Sequence, residues 1–137
     1  DYNIPKDSIV IEVSEDKVKG GLSDVLDKIV ELKNNGFHIA IDNYGAKYAD
    51  LFLFSEVKFD TLKLDRELVH KLETDEKTCM ISKSVIDICK NYNISVVAEG
   101  VENEKEYDIL KEMGCDEAQG YLFDKPMSWN RFEEKYL

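Results

Sequence analysis

The chain has 137 residues, 43% of them hydrophobic, and its 18 lysines and arginines stand against 29 aspartates and glutamates, a formal charge of −11. That fits one folded domain, and the negative excess repels phosphate backbones and anionic lipid, so neither a nucleic-acid polymer nor direct membrane binding is expected. The longest apolar runs, Leu51 to Phe54 and Ile94 to Ala98, fall far short of the roughly 20 residues of a bilayer span, and Asp1-Tyr2-Asn3 opens no signal peptide, so a cytoplasmic domain, free or tethered through upstream segments, is expected. Cys79, Cys89 and Cys115, spaced 10 and 26 apart, suit neither a disulfide framework nor paired zinc knuckles and read as reduced, buried thiols.

In chain order, Ile9-Val10-Ile11 is a strand, and Leu22, Val25, Leu26, Ile29 and Leu32 follow at the spacings of an amphipathic helix. Gly36 closes that helix, and Phe37 to Ile41 is a second strand running into Asp42-Asn43-Tyr44-Gly45. Tyr48 to Phe54 predicts a short helix, Thr61 to Asp65 a third strand, and Asp75 to Tyr92 a long helix with Ile81, Val85, Ile88 and Tyr92 on one face. Ser95 to Gly100 is a fourth strand. Asn103 with Glu106 forms a capping-box start to a helix that turns Tyr107, Leu110 and Met113 inward and stops at Gly114. Gln119 to Phe123 is read as a fifth strand ended by Pro126, and Ser128 as the cap of a last helix carrying Phe132 and Tyr136. Strands alternating with helices imply a parallel sheet, either doubly wound or a (βα) barrel, built here from five β–α units.

In every unit the polar residue that breaks the apolar run falls at the strand's carboxyl end: Glu12, Asp42 with Asn43, Lys63 with Asp65, Glu99, and Gln119. That edge carries the active site in parallel α/β folds, and a charge inside such a strand is costly unless paired or bound to metal. Three carboxylates with an amide and a lysine suit a hard cation, Mg²⁺ or Mn²⁺. Zinc is disfavoured, because the two histidines, His38 and His70, read as structural. With no GxGxxG, GxxxxGK[ST] or GxSxG present, metal-assisted chemistry on an anionic substrate fits better than dinucleotide binding, P-loop chemistry or a nucleophile elbow.

Glu12-Val13-Ser14-Glu15, Ala40 to Gly45, Leu62-Lys63-Leu64-Asp65-Arg66, Val97 to Glu102 and Gln119-Gly120-Tyr121 occur in the order and spacing of the EAL domain family. The chain resembles that family over essentially its whole length. The resemblance implies a (βα)₈ barrel that hydrolyses cyclic di-GMP to the linear dinucleotide pGpG. It implies Glu12 and Asp42 as metal ligands, Lys63 as the contact to the attacking water or scissile phosphate, and Glu99 as the holder of the metal-bound water network, with Gln119 near the same site. By the same resemblance Glu15 anchors the loop after Asp42-Asn43, while Asp65 and Glu102 are supporting or structural.

Two departures bear on activity. Asn43 stands where the family has a second Asp that binds or bridges a second metal, and a neutral amide is a poorer ligand for a hard cation. Ala46-Lys47-Tyr48-Ala49-Asp50 stands where the family usually has TGYSS. The EAL tripeptide and the Asn-bearing strand of the family are absent, and five β–α units compare with eight strands and about 250 residues in a closed barrel. Residues 1–137 therefore look like the C-terminal portion of an EAL domain, inactive alone and expected to self-associate through open sheet edges, with an upstream sensor or GGDEF domain as a partner in the parent protein. A degenerate receptor that binds cyclic di-GMP without cleaving it, and a ligand-free interaction module, are the competing readings.

Overall fold

The computed structural model describes residues 3–20, 22–46 and 50–137, without the side chains of residues 19, 20, 22 and 23. Five strands, β1 (Val10–Ser14), β2 (His38–Tyr44), β3 (Thr61–Leu64), β4 (Ser95–Glu99) and β5 (Glu117–Gln119), form one sheet in the order β1-β2-β3-β4-β5, and every neighbouring pair is parallel. Helices α1 (Glu15–Gly20) and α2 (Leu22–Asn34) carry the chain from β1 to β2, and α3 (Leu53–Glu56) from β2 to β3. Next, α4 (Arg66–Val69) and α5 (Glu76–Asn91) lead to β4, α6 (Glu104–Met113) leads to β5, and α7 (Trp129–Tyr136) follows. A doubly wound sheet reverses direction at a switch point, whereas a (βα) barrel adds each strand beside the last; the strictly sequential order here is the barrel's. No helix among the described residues is long and apolar enough to cross a membrane.

One face of the three middle strands is apolar and buried under the helices, while the alternate positions of β3 and β4 are half-buried or exposed. Ile39, Ile41, Leu62, Leu64, Val96 and Ala98 are each 1% exposed or less, and they meet Ile86 and Cys89 of α5 and Leu110 of α6. Each of the isoleucine, leucine and valine side chains contributes about 1.5–3 kcal/mol by leaving water. A repeated device sets the register at the amino ends. Asp60, just ahead of β3, accepts the Ile39 N–H at 2.9 Å, and Asp116, just ahead of β5, accepts the Val96 N–H at 2.8 Å. In both cases a carboxylate one residue before a strand takes the amide of the preceding strand, satisfying a donor that would otherwise end the ladder unpaired. At α6 the Asn103 side chain accepts the Lys105 and Glu106 amides, both at 3.0 Å, and Glu106 returns a carboxylate to the Asn103 N–H at 3.3 Å. Gly114 ends that helix at φ +78°, a left-handed conformation that glycine adopts without strain.

Several expectations are corrected. The fifth strand is Glu117–Gln119, and Tyr121 to Phe123 form a turn, because the chain bends at Gly120 to follow the backbone of Val101. The inward face of α5 is Thr78, Ser82, Val85, Ile86 and Cys89; Ile81 and Tyr92 are 50% and 66% exposed. The short helix after β2 is Leu53–Glu56, and Tyr48 with Ala49, where it was expected to begin, lies outside the described residues. Ser128 occupies the cap position of α7 without a side-chain hydrogen bond, and Phe132 and Tyr136 are 40% and 51% exposed. All three cysteines are free: Cys89 is buried, and Cys79 and Cys115 are half-buried.

Candidate active site

Lys63 is the third residue of the central strand, and its side chain emerges among carboxylates supplied by three other strands. Its Nζ lies 2.7 Å from Glu12 Oε1 of β1, 2.8 Å from Glu99 Oε1 of β4 and 3.4 Å from Asp42 Oδ1 of β2. The side chain is 13% exposed. Partial burial works against its charge, but the hydrogen bonds to Glu12 and Glu99 and the fields of Glu99 and Asp42 outweigh it, so the ammonium is held above the usual lysine range. Three carboxylates around one ammonium leave the group net negative and matched to a cation.

Asp42 is placed by an irregularity in β2. Between Ile41 and Tyr44 the register against β3 gains one residue, and Asn43 adopts φ +59°, a left-handed conformation that asparagine tolerates better than most residues. The bulge brings the Asn43 amide onto its own neighbour, so that Nδ2 donates to Asp42 Oδ2 at 2.8 Å. Asp42 Oδ1 is buried, accepts no hydrogen bond, and faces the Lys63 ammonium at 3.4 Å as its charged neighbour.

Glu15, the first residue of α1, is 4% exposed, and its two carboxylate oxygens accept the Gly45 and Asp50 amides, each at 3.1 Å. It therefore brackets the segment that follows β2, of which residues 47–49 lie outside the described set. Gln119 is paired in register with Glu99 but is exposed, and its side chain makes no hydrogen bond among the described residues. Asp65 is turned away from the cluster and caps α4 by accepting the Glu67 amide at 2.7 Å. Glu102 also stands apart: it is exposed, 4.0 Å from His70 Nε2, and its backbone N–H donates to Glu106 at 2.8 Å. The residues that converge are thus Glu12, Asp42, Lys63 and Glu99, with Asn43 behind Asp42.

Two nearby residues carried no sequence signal of their own. His70 Nε2 is 3.0 Å from the carbonyl oxygen of Gly100, the residue after Glu99, so it braces the loop at that strand end. Tyr44 is fully buried and its hydroxyl has no partner among the described residues. Burial, followed by the charge of Glu15, raises its pKa. Only the position of these residues beside recognised strand ends could have pointed to them.

No group of three His, Cys, Asp or Glu among the described residues closes as a preformed metal cage. The donor set nevertheless fits a hard divalent cation. All three acids offer carboxylate oxygens, Asp42 Oδ1 is buried with no hydrogen bond and only the Lys63 ion pair facing it, and cations of the Mg²⁺ class complete their shell with water.

Parallel β–α units with acids and one lysine gathered at the strand carboxyl ends have the arrangement of a (βα)-barrel protein, whose active site lies at that edge. The EAL domain family model matches residues 1–126, and the chain belongs to that family. It is 35% identical over 132 residues to the cyclic di-GMP phosphodiesterase RocR of Pseudomonas aeruginosa, covering 96% of this chain and 34% of RocR. Among solved structures it is similar to the PaMucR phosphodiesterase in complex with c-di-GMP, at TM-score 0.86 and 27% identity, covering 94% of this chain and 52% of that one. Klebsiella pneumoniae BlrP1 with manganese and c-di-GMP matches at TM-score 0.86 and 34% identity, covering 90% of this chain and 31% of BlrP1. The chain spans about a third or less of the length of the curated relatives it matches.

Proposed function

We propose that this chain is the C-terminal portion of an EAL phosphodiesterase domain that hydrolyses cyclic di-GMP to pGpG with Mg²⁺ or Mn²⁺. The observation that carries the reading is the gathering of Glu12, Asp42 and Glu99 around Lys63 at one edge of the sheet. RocR is named a cyclic di-GMP phosphodiesterase, and PaMucR and BlrP1 are described with c-di-GMP bound, BlrP1 also with manganese or calcium. Glu12 and Asp42 would hold the cation, together with ligands from the rest of the domain. When bound, it supplies Lewis acidity to the phosphodiester and the attacking water. Lys63 pairs with a phosphoryl oxygen and offsets the charge that develops there. Glu99, across from Lys63, orients the water and accepts its proton. Asp65 and Glu15 hold the strand-end loops around these groups.

A second reading, a receptor that binds cyclic di-GMP without cleaving it, is favoured by Asn43, whose amide is spent on Asp42 and brings no further negative charge to the site. Calorimetric titration of the complete domain with cyclic di-GMP, with and without Mn²⁺, followed by chromatography of the nucleotide, separates the two. Binding with pGpG formation supports hydrolysis, binding without product supports the receptor, and no binding at all refutes both.

A further inference from the structure

The contacts of Lys63 have a consequence for how a cation enters. Glu12 Oε1, Glu99 Oε1 and Asp42 Oδ1 all face the same ammonium, at 2.7, 2.8 and 3.4 Å. They come from three strands, and Lys63 is what holds their like charges together. A carboxylate oxygen engaged with an ammonium is a weaker donor to a second cation, and the two positive charges repel when they share one small group of acids.

Resting on the metal-site reading above, we propose that Lys63 is a built-in competitor for the divalent cation. Without the cation its ammonium ties the ends of β1, β2 and β4 together. Cation uptake requires it to release Glu12 and Asp42 and keep Glu99, and the released ammonium is then available to an incoming phosphoryl oxygen. The lysine therefore lowers cation affinity while keeping the acids in place, and it couples cation entry to substrate pairing.

The test is Mn²⁺ binding by the 137-residue chain, followed by calorimetry and by the electron paramagnetic resonance signal of free Mn²⁺. Lys63→Met should bind Mn²⁺ at least about tenfold more tightly than the unmodified chain, and Lys63→Arg, which keeps the charge, should stay within about threefold of it. Without metal, Lys63→Met should melt at a lower temperature, and Mn²⁺ should raise its melting temperature more than it raises that of the unmodified chain. Should Lys63→Met fail to fold, the side-chain ¹⁵N resonance of Lys63 in the unmodified chain must shift on titration with diamagnetic Ca²⁺. Equal or weaker Mn²⁺ binding by folded Lys63→Met, or a Lys63 resonance that stays put while Ca²⁺ binds, overturns the competition alone. No cation binding by the unmodified chain at millimolar concentration overturns both a cation site made by these residues alone and the competition that rests on it.

Discussion

Asn43 donates its side-chain amide to Asp42 Oδ2 at 2.8 Å, one peptide bond away, and so fixes which oxygen of Asp42 is left for the site. An aspartate at position 43 would replace that donor with a like charge. Asn43→Asp should therefore lower cation-free stability by about 1 kcal/mol, the size of one lost hydrogen bond, and Mn²⁺ should restore it. Thermal denaturation in EDTA and in Mn²⁺ checks this. In the complete domain the same change should raise hydrolysis of cyclic di-GMP, and unchanged turnover would show that position 43 is not limiting.

Tyr44 has a fully buried ring, 6.1 Å from Phe54 in an edge-on contact, and an unpartnered hydroxyl. Removing the oxygen keeps the packing and relieves a desolvated donor. Tyr44→Phe should stabilise the chain by about 1 kcal/mol in urea denaturation, and a loss of similar size would mean the hydroxyl has a partner in solution.

Glu15 reaches across to the Gly45 and Asp50 amides from a nearly closed position. Glu15→Ala leaves both donors without their charged acceptor and should cost about 2–4 kcal/mol. Hydrogen exchange should show the local origin of this loss. The Gly45 and Asp50 amides should lose protection at a denaturant concentration where Leu62 and Val96, deep in the sheet, keep theirs.

Gly120 is confined by backbone. A Cβ there would lie 2.1 Å from the Val101 carbonyl oxygen and 2.3 Å from the Val101 nitrogen, atoms already bonded to Leu122 and Gln119. Because neither neighbour is a movable side chain, Gly120→Ala should cost about 3 kcal/mol or more and separate the strand ends of Glu99 and Gln119. Gly36→Ala is the contrasting substitution, since the nearest atom its Cβ would meet is 3.9 Å away and only its φ of +90° opposes the change.

Asp124 accepts from Lys135 at 2.5 Å and from the Tyr136 hydroxyl, and these contacts tie α7 to the turn after β5. The Lys135 hydrogen bond, followed by that of Tyr136, lowers the Asp124 pKa from 3.8 to about 2. Because the folded value lies below the unfolded one, the tie is fully present above pH 4 and is lost as pH falls from about 4 through about 2. Trp129, the single tryptophan, sits on α7 and reports the change: its quenching by acrylamide should rise across that window, and Asp124→Asn should show the same rise at pH 7.

The sequence announced the parts of the fold that depend on local pattern. Apolar, β-branched runs located the first four strands but set the fifth too late, at Gln119 to Phe123, and Asn103, Glu106 and Gly114 marked both ends of α6, because a capping box and a left-handed glycine act within a few residues. It also placed Glu12, Asp42, Lys63 and Glu99 at one edge, since a charge that interrupts a buried strand must be paired there. Choices made by tertiary contact were hidden. Nothing local says that Thr78 and Ser82 turn inward while Ile81 turns out, because that depends on how near α5 sits to the sheet. The bulge at Asn43 and the exact partners of Glu15 likewise arise between segments, and Asp65 and Gln119, equally conspicuous as strand-end polar residues, do not join the cluster.

Because the strands lie side by side in their order of appearance, distance along the chain becomes distance across the sheet. The Glu12–Lys63 contact closes 51 residues and spans three strands, and the Glu99 contact needs the fourth. The cluster is therefore complete only where four consecutive strands are stacked side by side. The β2–β3 pair by itself brings together only Asp42 and Lys63, one acid and its neutralising ammonium, so a net negative site for a cation is a property of the whole sheet and of no single β–α unit.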